Sequence, residues 1–140
     1  MLPNSLQPKI WMILVGTNDL GKNRCSPEYV VAGILSVVKY IQTQRPGTPI
    51  LLHGILPRGE SRKIFQLGLR WELIQIINGL LRAFCENHPN MYYMDSGDMF
   101  LSHKAAKVNR RLMDDALHPT LDGMRQWVPL IVERIHGIIG

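Results

Sequence analysis

Two hydrophobic rhythms alternate along this chain. From Ile10 to Val15 every position is apolar, the pattern of a strand buried on both faces of a parallel sheet. Gly16 permits a tight turn, so this strand is expected to end at Asn18. The first eight residues, Met1–Pro8, hold two prolines and an Asn-Ser pair and read as loop, as does Leu20–Cys25. Ser26 suits a helix N-cap, Pro27 a first helical position and Glu28 the positive helix end. Val30, Val31, Ile34, Leu35, Val38 and Ile41 then recur at helical spacing, and Gln44-Arg45-Pro46-Gly47 stops the helix. Pro49–Ile55 reads as a second strand with Ile50-Leu51-Leu52 at its heart, leaving through Pro57-Arg58-Gly59-Glu60. Trp71–Cys85 is a second amphipathic helix, with Leu73, Ile74, Ile77, Leu80, Leu81 and Phe84 on one face. Met91–Met94 is a short third strand, followed by Asp95-Ser96-Gly97-Asp98. Phe100–Met113 is polar and basic and reads as a short helix or loop. Met124–Ile139 closes the chain as a helix with Trp127, Leu130, Ile131, Ile135 and Ile138 as its buried stripe.

Strands alternating with helices imply an α/β fold, a parallel sheet with helices on both faces. Ligands of such open sheets bind beyond the carboxyl ends of the strands, where Asn18 and Asp95–Asp98 are expected to lie. There are no internal repeats.

With 140 residues and 46% hydrophobic, 19% charged composition, the chain is one globular domain rather than a disordered segment. The net charge of +5 allows an acidic partner without naming one. Arg58, Arg62, Lys63 and Arg70 make one region basic; a solvated loop is the favoured reading, a rim attracting anions the other. Cys25 and Cys85 show neither metal-ligand spacing nor a disulfide framework, so a reduced, cytoplasmic compartment is the default. No apolar run approaches the ~18 residues of a membrane span. No aromatic residues interleave the basic ones, so a nucleic-acid partner is not expected.

The chemistry concentrates in Asp115-Ala116-Leu117-His118-Pro119. A carboxylate and an imidazole three residues apart can meet across one turn, the carboxylate fixing one ring nitrogen and freeing the other as a general base. Asp-x-x-His alone also fits a surface histidine with an incidental neighbour. Ser96 follows a late strand without a nucleophile elbow and is not expected to attack. His53 reads as a satisfied core group and Asp19 as a structural acceptor. Asp114, Asp122 and the other histidines read as surface or packing residues. No His/Asp cluster has metal-ligand spacing, and no cofactor is implied.

Taken together, Lys9–Val15 running into Gly16-Thr17-Asn18-Asp19, and Asp115 to His118 near the C-terminus, resemble the SGNH hydrolases, the GDSL esterase/lipase family. Leu52-His53-Gly54-Ile55-Leu56-Pro57-Arg58-Gly59-Glu60 is similar to a strand and loop of the platelet-activating-factor acetylhydrolase-like branch. The resemblance implies a three-layer α/β/α, flavodoxin-like fold. It implies Asn18 as an oxyanion-hole donor, His118 as base and Asp115 as its orienter. It implies hydrolysis of a carboxylic ester, acetyl esters of lipids or sugars included. The family's Gly-Asp-Ser block, with its nucleophile, and the oxyanion-hole glycine block are absent. Residues 1–140 are therefore expected to be the C-terminal portion of a single SGNH hydrolase-like domain, with the N-terminal part of the fold missing. The alternative is a non-catalytic scaffold or binding module that has lost the nucleophile. A strand as apolar as Ile10–Val15 normally has neighbours on both sides, yet both other strands come later. One of its edges is expected to be open, or covered in a homo- or hetero-oligomer.

Overall fold

The computed structural model describes residues 6–21, 25–104 and 106–140. The expected loops at Met1–Pro8 and Leu20–Cys25 lie partly outside the described residues. Three parallel strands, β1 (Trp11–Ile13), β2 (Ile50–His53) and β3 (Met91–Met94), form a sheet in the order β1-β2-β3. Met12 pairs with Leu51, and Leu51 with Tyr92. β2 is central and buried along its whole length.

The first strand is shorter than its apolar run. Pairing ends at Ile13, and Gly16 turns the chain with φ +114°, a conformation open to glycine. A Cβ on Gly16 would sit 3.0 Å from Ile34 Cδ1, so the turn lies tight on a helix. Among the described residues no strand pairs with the outer edge of β1, as expected of an incomplete sheet.

The chain then forms a short helix α1 (Thr17–Gly21) and the long helices α2 (Pro27–Gln44) and α3 (Leu69–Glu86). The Ser26 hydroxyl caps α2 by accepting from the Tyr29 amide at 3.3 Å. α3 begins earlier than its apolar stripe because the Glu60 carboxylate accepts from the Arg70 amide at 3.0 Å, satisfying an orphan donor of the first turn. Val30, Ile34 and Val38 of α2 and Ile74, Ile77 and Leu81 of α3 pack with Ile13, Ile50 and Leu52 of the sheet in one core. Leu80 is exposed rather than part of that face.

Side chains alternate along β2, so His53 faces the other way and meets Trp127 edge-on at 5.4 Å. Trp127 belongs to α4 (Leu121–Ile139), which with Phe65, Phe100, Val108, Leu112 and Met113 builds a second core. Helices thus cover both faces of the sheet, the three-layer arrangement. α4 is less buried than its stripe implied: Gly123 and Trp127 are its only fully buried residues, and Leu130 is 40% exposed. A three-stranded sheet offers too narrow a face to cover the whole helix.

Phe100–Met113 is neither a helix nor a plain loop. A 3₁₀ turn (Gly97–Phe100) leads into a two-stranded antiparallel ribbon, β4 (Leu101–Ser102) and β5 (Lys107–Val108). Its setting is long-range. The Val108 amide donates to the Phe65 carbonyl and the Leu67 amide to the Ala106 carbonyl, both at 2.8 Å.

Candidate active site

Beyond the carboxyl ends of β1 and β2, the loops after both strands and the turn before α4 enclose a cavity of about 190 Å³. Leu14, Ile55, Leu56, Leu117 and Trp127 are among its apolar walls, and Thr17 and His118 also line it.

The Asp115–His118 turn is closed by the aspartate itself. Its Oδ1 accepts from the Leu117 amide at 2.9 Å and the His118 amide at 2.7 Å, while Oδ2 accepts from His118 Nδ1–H at 2.6 Å. This fixes the tautomer and leaves Nε2 with the lone pair. Desolvation alone would push the Asp115 carboxyl up. The His118 ring and the two amides outweigh it and bring its pKa down to about 2. Ala116, between the pair, has φ +61°, costing about 1–3 kcal/mol in a non-glycine residue. It is held there because its amide donates to Met113 and its carbonyl accepts from Gly59. The His118 side chain is 71% exposed, open to a substrate.

Asn18 lies past the strand rather than at its end. It is exposed in the first turn of α1; its neighbour Thr17 lines the cavity and Asn18 itself does not. That turn is pinned by Arg58, whose guanidinium donates to the Thr17 carbonyl at 2.8 Å and hydroxyl at 3.2 Å. Arg58 is therefore half-buried and engaged, and Arg70 pairs with Glu60, which corrects the solvated-loop reading for these two, whereas Arg62 and Lys63 are exposed as it expected. Its neighbour Gly59 donates to the Ala116 carbonyl at 2.9 Å, and a Cβ on Gly59 would run into the Ile64 carbonyl. Two consecutive residues thus hold the Asn18 helix and the His118 turn in fixed relation.

Sequence reasoning also passed over Asn78. It clamps Ile55 from both sides: its Oδ1 accepts from the Ile55 amide at 2.8 Å and its Nδ2 donates to the Ile55 carbonyl at 3.0 Å. The available signal was an amide inside the Ile74–Ile77–Leu81 stripe of α3.

His53 is 1% exposed and fully engaged. Its Nδ1–H donates to the Gly54 carbonyl at 2.6 Å, and its Nε2 faces both Trp127 Nε1–H at 3.2 Å and Ser96 Oγ at 2.9 Å. Burial holds its pKa below the ordinary histidine value. The indole shares the lone pair that a nucleophilic Ser96 would need, and Ser96 is itself buried. No serine lines the His118 cavity among the described residues.

A parallel sheet between helical layers, with a carboxylate–imidazole turn at its carboxyl-end crevice, is the architecture of an SGNH-type hydrolase. The GDSL-like lipase/acylhydrolase family description matches residues 2–126, and the chain belongs to that family. A platelet-activating factor acetylhydrolase IB subunit alpha2 from Gallus gallus is 33% identical over 116 residues, covering 83% of this chain and 47% of that protein. The chain spans about half the length of the curated relatives it matches. Among solved structures, a carbohydrate esterase of family 3 from Talaromyces cellulolyticus superposes with a TM-score of 0.69 at 16% identity, covering 96% of this chain and 60% of that one. An acetyl esterase mutant with an acetate ion gives 0.65 at 18% identity, covering 94% and 60%. These two likenesses bear on the fold. No helix among the described residues is long and apolar enough to cross a membrane.

Proposed function

We propose that this chain carries the base, its orienter and an oxyanion donor of a carboxylic ester hydrolase: His118, Asp115 and Asn18. The observation that carries the reading is the 2.6 Å bond from His118 Nδ1–H to Asp115 beside the apolar cavity. In the proposed reaction a serine supplied from outside these 140 residues gives its proton to His118 Nε2 and attacks the ester carbonyl carbon. The carbonyl oxygen becomes an oxyanion, and the Asn18 amide donates to it. Collapse expels the alcohol, which takes the proton from Nε2, and water repeats the sequence to release the acid. Asp115 stays ionised throughout.

At about 190 Å³ the cavity falls below the ~300–1,000 Å³ of drug-sized ligand sites. That favours a short acyl group such as acetyl, in keeping with relatives named as acetylhydrolase subunits. The open edge of β1 would be covered by a further strand, from the same or another polypeptide, since an exposed apolar strand edge is an association site.

Labelling of the chain by a fluorophosphonate, followed by peptide mass spectrometry, tests this division of labour. The expected result is no stoichiometric adduct on any serine of these 140 residues. An adduct that His118→Ala abolishes would place the nucleophile within the chain and overturn it.

A further inference from the structure

Away from the ester site, the ribbon β4–β5 and the segment before α3 form a second feature with its own chemistry. Gln66 and Lys107 pair as an antiparallel bridge, flanked by the backbone bonds from Leu67 to Ala106 and from Val108 to Phe65. Phe65 and Val108 beneath are buried in the second core, so the frame is rigid. On it sits a cleft of about 230 Å³ lined by Lys63, Phe65, Gln66, Lys107, Val108 and Arg110.

Three of the six residues are cations and none is a carboxylate. Among the described residues the ion pairs are made by Arg70, Arg111, Arg125 and His118; none engages Lys63, Lys107 or Arg110. Three like charges lining one cleft repel one another, and an anion between them would relieve that repulsion. Arg110 is also preorganised. Its guanidinium lies 4.8 Å over the Phe65 ring, a stacking that leaves its N–H edge free for an oxyanion. Gln66 adds an uncharged amide donor.

We propose that this cleft binds a phosphate group. Its size admits a small group rather than a whole drug-sized molecule. Its charge suits phosphate, at about −1.5 to −2 near neutral pH, better than a carboxylate, and a planar guanidinium matches phosphate oxygens in a fork. A stacked base is not accommodated, because Phe65 is covered by Arg110 and buried. None of these residues lines the His118 cavity, so the inference stands apart from the ester-hydrolase reading. The group could arrive on a soluble molecule or as a phospholipid head.

The test is a ¹⁵N-resolved NMR titration of the whole chain with inorganic phosphate at about 0.15 M ionic strength, where long-range attraction is screened. Sodium chloride of matched ionic strength is the control. The expected result is saturable shifts at Lys107, Val108 and Arg110. Arg110→Gln and Lys63→Gln each weaken binding by about tenfold or more, the loss of one charge-assisted hydrogen bond. Lys104→Gln, which removes the same charge outside the cleft, changes it less than about twofold, and circular dichroism confirms that each variant is folded. Vesicles of phosphatidylcholine with and without phosphatidic acid form the second arm. Retention that needs phosphatidic acid and is displaced by inorganic phosphate assigns the cleft to a lipid head, and phosphate binding without retention assigns it to a soluble phosphate. Shifts that do not saturate, that chloride reproduces, or that Lys104→Gln weakens as much as Arg110→Gln would overturn the site.

Discussion

Two buried or constrained residues give this protein two separate pH dependences. His53 is neutral in the core, with its pKa lowered chiefly by burial. When the unfolded chain binds its proton near the ordinary value of about 6.5, the folded one does not, so unfolding gains protons. Stability is therefore expected to be full above that value and to decline as the pH falls below it. Urea unfolding between neutral and mildly acidic pH checks this; His53→Gln should flatten that part of the profile, and an unchanged slope would contradict it. Asp115 acts lower. Its carboxyl, brought from 3.8 to about 2, contributes stability that is present above the higher value and lost as pH falls towards the lower. The Asp115–His118 pair was legible in the sequence because its bonds span three residues. Asn78 and Arg58 were not, because their partners lie 23 and 41 residues away. Replacing Asn78 with Leu leaves the buried amide and carbonyl of Ile55 unpaired, at an expected cost of about 1–3 kcal/mol for each group. Urea unfolding measures it, and a loss below about 0.5 kcal/mol would contradict the clamp.

At the scale of elements, unbroken apolar runs found the three strands, and helical periodicity found the three long helices, each of which buries a face long enough to repeat. It missed the ribbon β4–β5, whose strands of two residues each cannot show a period and form only against Phe65 and Leu67. It missed the start of α3, which depends on a cap from Glu60 ten residues upstream. The Arg58–Gly59 bracket makes a divided expectation. Arg58→Ala should speed hydrogen exchange of the α1 amides and leave the Leu117 and His118 amides protected. Gly59→Ala should do the reverse, because its Cβ displaces the strand of chain that holds Ala116. Equal effects of both variants on both segments would mean that the loop acts only through general stability.

For the molecule as a whole, the three-layer arrangement followed from the alternation of elements, and the family from two short blocks at opposite ends of the chain. The extent of burial did not follow. Helix stripes record which face is apolar, not how much sheet there is to cover it, and α4 exposes Leu130 where it runs past the end of β3, beside Met94 and Ser96. The open edge of β1 is expected to be where further polypeptide adds. Amide exchange at Met12 should slow when it does, since the Trp11 amide already donates to Pro49 on the other side.

In a polypeptide that joins this chain to an upstream Gly-Asp-Ser segment, the rate of fluorophosphonate capture at that serine tests the roles of His118, Asp115 and Asn18. Capture is expected to be abolished by His118→Ala and slowed on the order of 10⁴-fold by Asp115→Asn, the scale of a triad left in the wrong tautomer. Asn18→Ala should slow it by about 10²–10³ through the lost oxyanion donor. Capture at an undiminished rate in the His118 and Asp115 variants, or no capture at all in the intact joined protein, would contradict these roles and leave the chain a scaffold.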